Sequence, residues 1–337
     1  MSDISFQKTI ELFIARSAPA DQVVISDFSL LSGGAIQQNW AIDAQVIGGP
    51  FAGELNVVLR TDAPSAVAAS HGRAQEFALL RAASQAGVLV PEPLWLGETE
   101  IIGRPFFIMR RIKGSAAGHR LVKDQRLGGD RVRLAEQLGE QLARIHSISP
   151  ARNDLAFLSR SESSPAQTLI QRAQDFLDKH TTPHPILEWC LRWLELNAPP
   201  SNQQVLCHRD YRTGNYMVDE QGLTGILDWE FAGWSDPLED IGWFCAKCWR
   251  FGNDAAQAGG VGQREDFYRG YERIAQTSIA REHVLYWEVM AHLNWALIAI
   301  QQAERHVSGQ ERSLNLALTG HIVPELEWEI LNLTEYR

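Results

Sequence analysis

Two short segments hold the residues whose types and spacing could do chemistry: His208-Arg209-Asp210-Tyr211-Arg212-Thr213-Gly214-Asn215, and Ile226-Leu227-Asp228-Trp229-Glu230. Asn215 lies five residues after Asp210, and Asp228 lies eighteen after it. One carboxylate to orient a hydroxyl, plus an amide oxygen and a second carboxylate to hold magnesium against ATP phosphates, is what phosphoryl transfer requires. That reaction leaves the protein little covalent work and relies on positioning and charge stabilisation. Asp210 is read as the group that accepts or orients the proton of the attacking hydroxyl. Asn215 and Asp228 are read as magnesium ligands, because magnesium is a hard cation that prefers oxygen. His208, beside it in the catalytic loop, is read as bracing the loop rather than transferring protons. An isolated H-x-D could be chance; H-x-D-x-x-x-x-N followed by apolar-apolar-Asp after a turn is far more restrictive.

The surrounding elements must place these groups. Residues 5–17 predict a helix with Ile10, Phe13 and Ile14 at helical spacing. Strands are predicted at 23–31, 37–46 and 54–60, separated by Gly33-Gly34 and Gly48-Gly49-Pro50. Residues 66–86 predict a helix ended by Gly87. An extended stretch follows Pro91 and Pro93, and 104–110 predicts a further strand. Lys113-Gly114-Ser115 reads as a hinge. Beyond it, Leu134, Leu138, Leu142 and Ile145 mark an amphipathic helix over 131–146. Short strands at 204–207, 216–218 and 222–227 put the motif residues on loops at strand ends. Residues 237 onward return to helix, with 282–306 and 311–336 as two long ones, and the Gly/Ala-rich 255–262 reads as a mobile loop. Asp236 before Pro237 reads as a helix N-cap. A sheet-rich part followed by a helix-rich part implies a ligand cleft at their boundary.

Composition narrows the classes. The chain has 337 residues, 45% hydrophobic and 21% charged, which suits two globular domains. With 41 acidic against 31 basic residues the formal charge is −10, which argues against a broad nucleic-acid surface. No apolar run reaches the ~18 residues of a membrane span. Asp3 and Glu11 interrupt the first apolar segment, which reads as an amphipathic helix and not a signal peptide. The cytoplasm is the default compartment, and the oligomeric state is not legible. Cys245 and Cys248 form a C-x-x-C with nothing to complete a zinc site, so all four cysteines read as packed thiols.

The segment from Cys207 to Trp243 resembles the aminoglycoside phosphotransferase superfamily, which also holds choline-type kinases and shares the protein-kinase fold. Asp228-Trp229-Glu230, then Asp236-Pro237-Leu238-Glu239-Asp240, is similar to the branch found alone in bacteria or fused to acyl-CoA dehydrogenases. The resemblance runs over roughly residues 25–300. It implies an α+β, protein-kinase-like two-lobe fold: an antiparallel sheet plus helix in residues 1–112, a hinge at about 109–114, and a mostly helical lobe in 113–337 carrying the catalytic loop and acceptor site. It also implies ATP and Mg2+ as cofactors. Gly33 and Gly34 fall at the family's phosphate loop. Arg60 falls at its basic strand residue, paired with Glu76 and touching the α/β-phosphates, and Met109 falls at the linker that meets adenine. The wider superfamily has Lys where this chain has Arg60. A planar fork is not equivalent to a point charge, although the acyl-CoA-dehydrogenase-fused branch resembles this chain in using Arg. Asp240 matches the acid that fixes the catalytic loop.

The acceptor is a small-molecule hydroxyl whose identity stays open. Aminoglycosides are polycations met by acidic clefts, whereas the second half here is rich in Trp, Phe and Tyr, mostly expected in the core. Arg212 could meet an anionic acceptor, and Glu230 is one of the two acids nearest the motif. A hydroxylated acyl or other metabolite is at least as consistent as an antibiotic. The competing readings are a nucleotide-binding pseudokinase, motivated by Arg60, and a hydrolase using Asp210 and His208, which lacks a nucleophile elbow.

Overall fold

The computed structural model describes residues 3–31, 37–62, 70–201 and 203–335. In chain order the elements are α1 (Asp3–Ser17), β1 (Gln22–Leu30), β2 (Gln37–Ile47), β3 (Gly53–Asp62), α2 (Arg73–Gln85), β4 (Pro93–Gly97), α3 (Thr99–Ile102), β5 (Phe106–Arg110), α4 (Gly118–Lys123), α5 (Arg131–His146), α6 (Pro165–Leu177), α7 (Pro185–Asn197), β6 (Val205–Cys207), β7 (Tyr216–Val218), β8 (Leu223–Ile226), β9 (Gly233–Ser235), α8 (Pro237–Cys245), α9 (Arg264–Ala275), α10 (Arg281–Val307), α11 (Leu314–Gly320) and α12 (Val323–Thr334). They form two compact units. The first comprises Met1–Gly114 with Asn153–Phe157 and Thr224–Phe231; the second comprises Ser115–Arg152, Leu158–Leu223 and Ala232–Arg337.

The first unit is a five-stranded antiparallel sheet in the order β1-β2-β3-β5-β4. Its β1–β2–β3 run is a meander of sequential neighbours. Gly48 and Gly49 turn β2 toward β3 at φ 76° and 73°, which glycine adopts without penalty. Period-two alternation sorts β3 into faces. Leu55, Val57 and Leu59 join Ile10 and Ile14 of α1 in one core, with Phe106 and Ile108 of β5. Val58 and Arg60 therefore take the opposite face, where Phe77 of α2 meets Phe107 of β5 at 5.8 Å between ring centres. That face brings Arg60 toward α2. Of the helix expected over 66–86, residues 66–69 lie outside the described residues, and α2 begins at Arg73, with Gly72 at its N-cap and Gln75 Oε1 accepting from Gly72 N at 3.0 Å. The Thr224–Phe231 segment is tied into this unit by Ile226 N donating to Leu89 O at 2.8 Å.

The second unit is mostly helical. Leu134, Leu138, Leu142 and Ile145 are buried along one side of α5, as their spacing predicts. Helices α5 and α9 approach at backbone distance. A Cβ on Gly139 would fall 2.0 Å from Phe267 O, and one on Gly270 would fall 2.0 Å from Glu136 O. Gly242 does the same for α8 on α10, where a Cβ would lie 2.4 Å from Trp287 Cβ. Two expectations need correction. The single helix expected over 311–336 is broken into α11 and α12 at His321–Ile322, just after Gly320 and before Pro324, which sits in the first turn of α12. The segment read as a mobile loop, 255–262, is largely buried. Its backbone folds back on itself, with Gly260 N donating to Ala256 O at 3.0 Å.

All four cysteines are free; three are buried and Cys248 is half-buried. Burial pushes the thiols up, Cys245 to about 12, so they are packed neutral groups. Among the described residues no helix is long and apolar enough to cross a membrane.

Candidate active site

In the second unit, β6 delivers the chain to His208, and the loop to Asn215 precedes β7. Strand β6 pairs with β9, whose end leads into α8 through the N-cap Asp236, so α8 starts close to the loop. Fully buried Asp240 on α8 accepts the loop's backbone N–H groups: His208 N on Oδ2 and Arg209 N on Oδ1, both at 2.7 Å. These bonds hold the loop although Arg209 sits at φ 62°, an unfavourable region for a residue with a Cβ. His146 of α5 places Nε2 3.1 Å from Asp240 Oδ2, and its Nδ1 lies 2.9 Å from the Tyr271 hydroxyl of α9. Because Asp240 only accepts, the hydrogen lies on His146 Nε2. Arg209 pairs with Glu239 at 3.2 Å, and Glu239 with its neighbours keeps that guanidinium charged against burial.

Asp210 lies in a web of donors. Its Oδ1 accepts from Arg212 Nε at 2.9 Å and from Trp243 Nε1 at 3.1 Å. Asn215 Nδ2 donates to the Asp210 backbone oxygen at 2.9 Å and to Oδ2. His208 is fully buried, its ring edge-on to Tyr211 at 5.8 Å. Thr213 Oγ1 donates to Gly259 O at 2.6 Å, so the buried 255–262 segment supports the loop from beneath. Arg212 also lays its guanidinium over Trp249, 4.6 Å from the ring centre.

In the first unit, Arg60 and Glu76 form the expected pair, Nε to Oε1 at 2.8 Å. Arg60 Nη2 also reaches Asp228 Oδ1 at 2.9 Å, and Nη1 lies 3.4 Å from Asn39, its cross-strand partner. Burial works against the Arg60 charge, but Glu76 and then Asp228 outweigh it and its pKa is raised. Asp228 sits at φ 58°, a second strained non-glycine residue. Glu230 accepts from Gln37 at 2.6 Å. Burial first, and the Asp228 charge second, push its carboxyl up to about 7. Met109 lies near the end of β5, half-buried and paired with Val58, while Phe107 and Ile108 are core residues. Gly33 and Gly34 lie outside the described residues.

Several residues escaped the sequence reading. Arg73, almost wholly buried, pairs with Glu76 Oε2, with Asp62 at 3.0 Å and with the His71 carbonyl at 2.9 Å. Its i,i+3 spacing to Glu76 was a usable signal. Nothing local marks His146, Tyr271, Trp243 or Thr213 as loop supports, because their partners lie far away in sequence. His146, Cys207 and Asp240 also cluster as possible metal ligands. Burial raises the Cys207 thiol well above its usual range, and it donates to the Asp236 carbonyl at 3.3 Å, which is the bonding of a packed thiol.

An antiparallel sheet unit followed by a helical unit bearing such a loop is a protein-kinase-like fold. A protein of Ralstonia eutropha JMP134 assigned as an aminoglycoside phosphotransferase shares it, with a TM-score of 0.75 at 18% identity over 97% of this chain and 98% of that one. A spectinomycin phosphotransferase solved with ADP and spectinomycin gives 0.60 at 13% identity over 96% and 98%. The profile of the phosphotransferase enzyme family matches residues 27–276, and the chain belongs to that family. Among curated relatives, acyl-CoA dehydrogenase family member 10 of Mus musculus is 29% identical over 184 residues, 52% of this chain and 17% of that protein. Family member 11 of Pongo abelii is 24% identical over 295 residues, 82% of this chain and 37% of that protein. The chain thus spans well under half the length of these relatives.

Proposed function

We propose that the protein is an ATP- and magnesium-dependent phosphotransferase that moves the γ-phosphate to a hydroxyl of a small molecule. The observation that carries this reading is the Asp210 carboxylate, oriented by Arg212, Trp243 and Asn215 on a loop whose backbone Asp240 clamps. Family membership supports the reaction class, and the ADP held by the spectinomycin phosphotransferase supports a nucleotide donor. Asp210 would take or orient the acceptor's proton. Asn215 turns its amide nitrogen to Asp210, which leaves its oxygen for a metal. Asp228 is 38% exposed at the side chain, and among the described residues Arg60 engages its Oδ1. Each offers a hard oxygen donor of the kind magnesium takes, and magnesium when bound neutralises phosphate charge. Arg60, positioned by Glu76, would bind phosphate; residues 1–112 would hold the nucleotide and 113–337 the acceptor.

For the acceptor we favour a hydroxylated acyl compound or other non-cationic metabolite over an aminoglycoside. Arg212 places a positive charge beside the base, which disfavours a polycation there. The competing reading, a nucleotide-binding module with little turnover, draws on the Arg60–Asp228 ion pair. A metabolite-library screen for ATP consumption, beside nucleotide thermal shifts with and without magnesium, tests both. Failure of every nucleotide to raise the melting temperature would overturn the phosphotransferase reading. Asp210→Asn should abolish turnover while ATP still binds; undiminished turnover would remove Asp210 from the base role.

A further inference from the structure

Asp210, Arg212, Trp249 and Trp243 close a ring in the second unit. Arg212 Nε donates to Asp210 Oδ1 at 2.9 Å. The Arg212 guanidinium lies over Trp249 at 4.6 Å. Trp249 packs on Trp243 with ring centres 5.2 Å apart, and Trp243 Nε1 returns to the same Oδ1 at 3.1 Å. Trp295 of α10 backs Trp249 at 4.9 Å. These aromatics form a small cluster of their own with Ala246 and Ala291.

We infer that Trp243 and Trp249 are positioning residues that aim the Asp210 carboxylate, Trp243 through its indole N–H and Trp249 through the Arg212 guanidinium. A carboxylate on a loop can rotate about its Cβ–Cγ bond, and two donors converging on Oδ1, together with Asn215 Nδ2 on Oδ2, fix its plane. That plane sets where Oδ2 presents its lone pairs, and catalysis is sensitive to such direction. Trp243 lies three residues after Asp240 on α8, so one helix controls both the loop backbone and the carboxylate. An arginine can rotate as well. Stacking on an indole face holds its plane, a contact strengthened where the cation is partly desolvated. The tryptophans here thus have a task beyond core packing: a buried Phe would keep an aromatic ring at Trp243 but could not donate.

The inference rests on the phosphotransferase reading, so the experiment separates the two. Trp243→Phe keeps the ring and loses the donor. It should lower kcat about tenfold, the worth of one hydrogen bond to a charged group, with the KM for ATP and the melting temperature nearly unchanged. Trp249→Leu should act similarly and Trp249→Phe should retain most activity, because it keeps an aromatic face. Combining Trp249→Leu with Arg212→Gln should cost little more than Arg212→Gln alone, since both break the same ring. A melting temperature that falls while kcat per folded molecule stays at the wild-type level, or fully additive losses, would overturn the inference. Independently of turnover, the indole N–H resonance that Trp243→Phe removes should move on Asp210→Ala; an unmoved resonance overturns the contact itself. If the wild type turns over no acceptor yet that resonance moves, the phosphotransferase reading fails and takes the catalytic purpose of the ring with it.

Discussion

Arg73 shares the carboxylate of Glu76 with Arg60: Arg60 engages Oε1 and Arg73 engages Oε2, and all three side chains are almost wholly buried. The partner expected for one guanidinium therefore serves two. Glu76 is braced from its own helix as well as from β3, and Arg73 extends the brace to Asp62 at the strand end.

Arg73→Met should destabilise the first unit. Breaking a buried ion pair costs roughly 3–5 kcal/mol, and the lower end is expected because Arg60 still holds Glu76 and Asp62 is partly exposed. Denaturant unfolding measures it, and a loss under about 1 kcal/mol, the usual worth of an exposed pair, would show that the brace contributes little.

Arg60→Lys keeps the charge but loses the fork. An ammonium cannot reproduce the planar grip on Glu76, Asp228 and Asn39 together. The expected result is a rise of about tenfold in the KM for ATP, from a loss of roughly 1.4 kcal/mol of binding, with a smaller change in kcat. Steady-state kinetics on ATP checks it, and a nucleotide thermal shift gives a second measure.

Glu230 gives a pH dependence whose sign follows from its raised pKa. Its folded value of about 7 exceeds the usual 4.5, so the folded state holds a proton that the unfolded state has released. Stability from this group is therefore present below pH 4.5 and falls as pH rises toward 7. Glu230→Gln can still accept from Gln37 and has no charge to bury. It should flatten that slope and stabilise the protein at pH 8 by roughly 1–3 kcal/mol. Urea unfolding at pH 5 and pH 8 compares the two; an unchanged difference would place the titration elsewhere.

Asp240→Asn leaves one acceptor oxygen where two backbone N–H groups need one each, His208 N and Arg209 N. The amide nitrogen would face a donor. A cost of about 1–3 kcal/mol in stability is expected for the orphaned group. A fall of about 100-fold in kcat is expected for a misplaced loop. Activity normalised to folded protein separates the two effects.

The strand ends that carry Asp210, Asn215 and Asp228 were legible because their signals are local: Asp210 and Asn215 fall between β6 and β7, and Asp228 follows β8. Strands β1 to β3 and helix α5 were legible for the same reason, since burial repeats at two or 3.6 residues. The end of the chain was misread as one helix because apolar periodicity outweighed a single Gly320 and Pro324. The 255–262 segment was misread because glycine-rich composition looks alike whether a turn is exposed or packed under another loop. Trp243 could be placed on α8 and near the core, but not on Asp210.

By itself the sequence determined that Arg60 stands on the third strand, Glu76 on the helix after it, and Asp210 and Asn215 on the loop between two short strands. Only the tertiary structure decided who their partners are. Glu76 meets two arginines, Asp240 clamps a loop 31 and 32 residues away, and Trp243 reaches back 33 residues to Asp210. The reason is physical. Periodicity along the chain records which side of an element is buried. What that side touches depends on how closely helices approach, as Gly242 lets α8 press against Trp287, and packing at that range is a property of the folded chain.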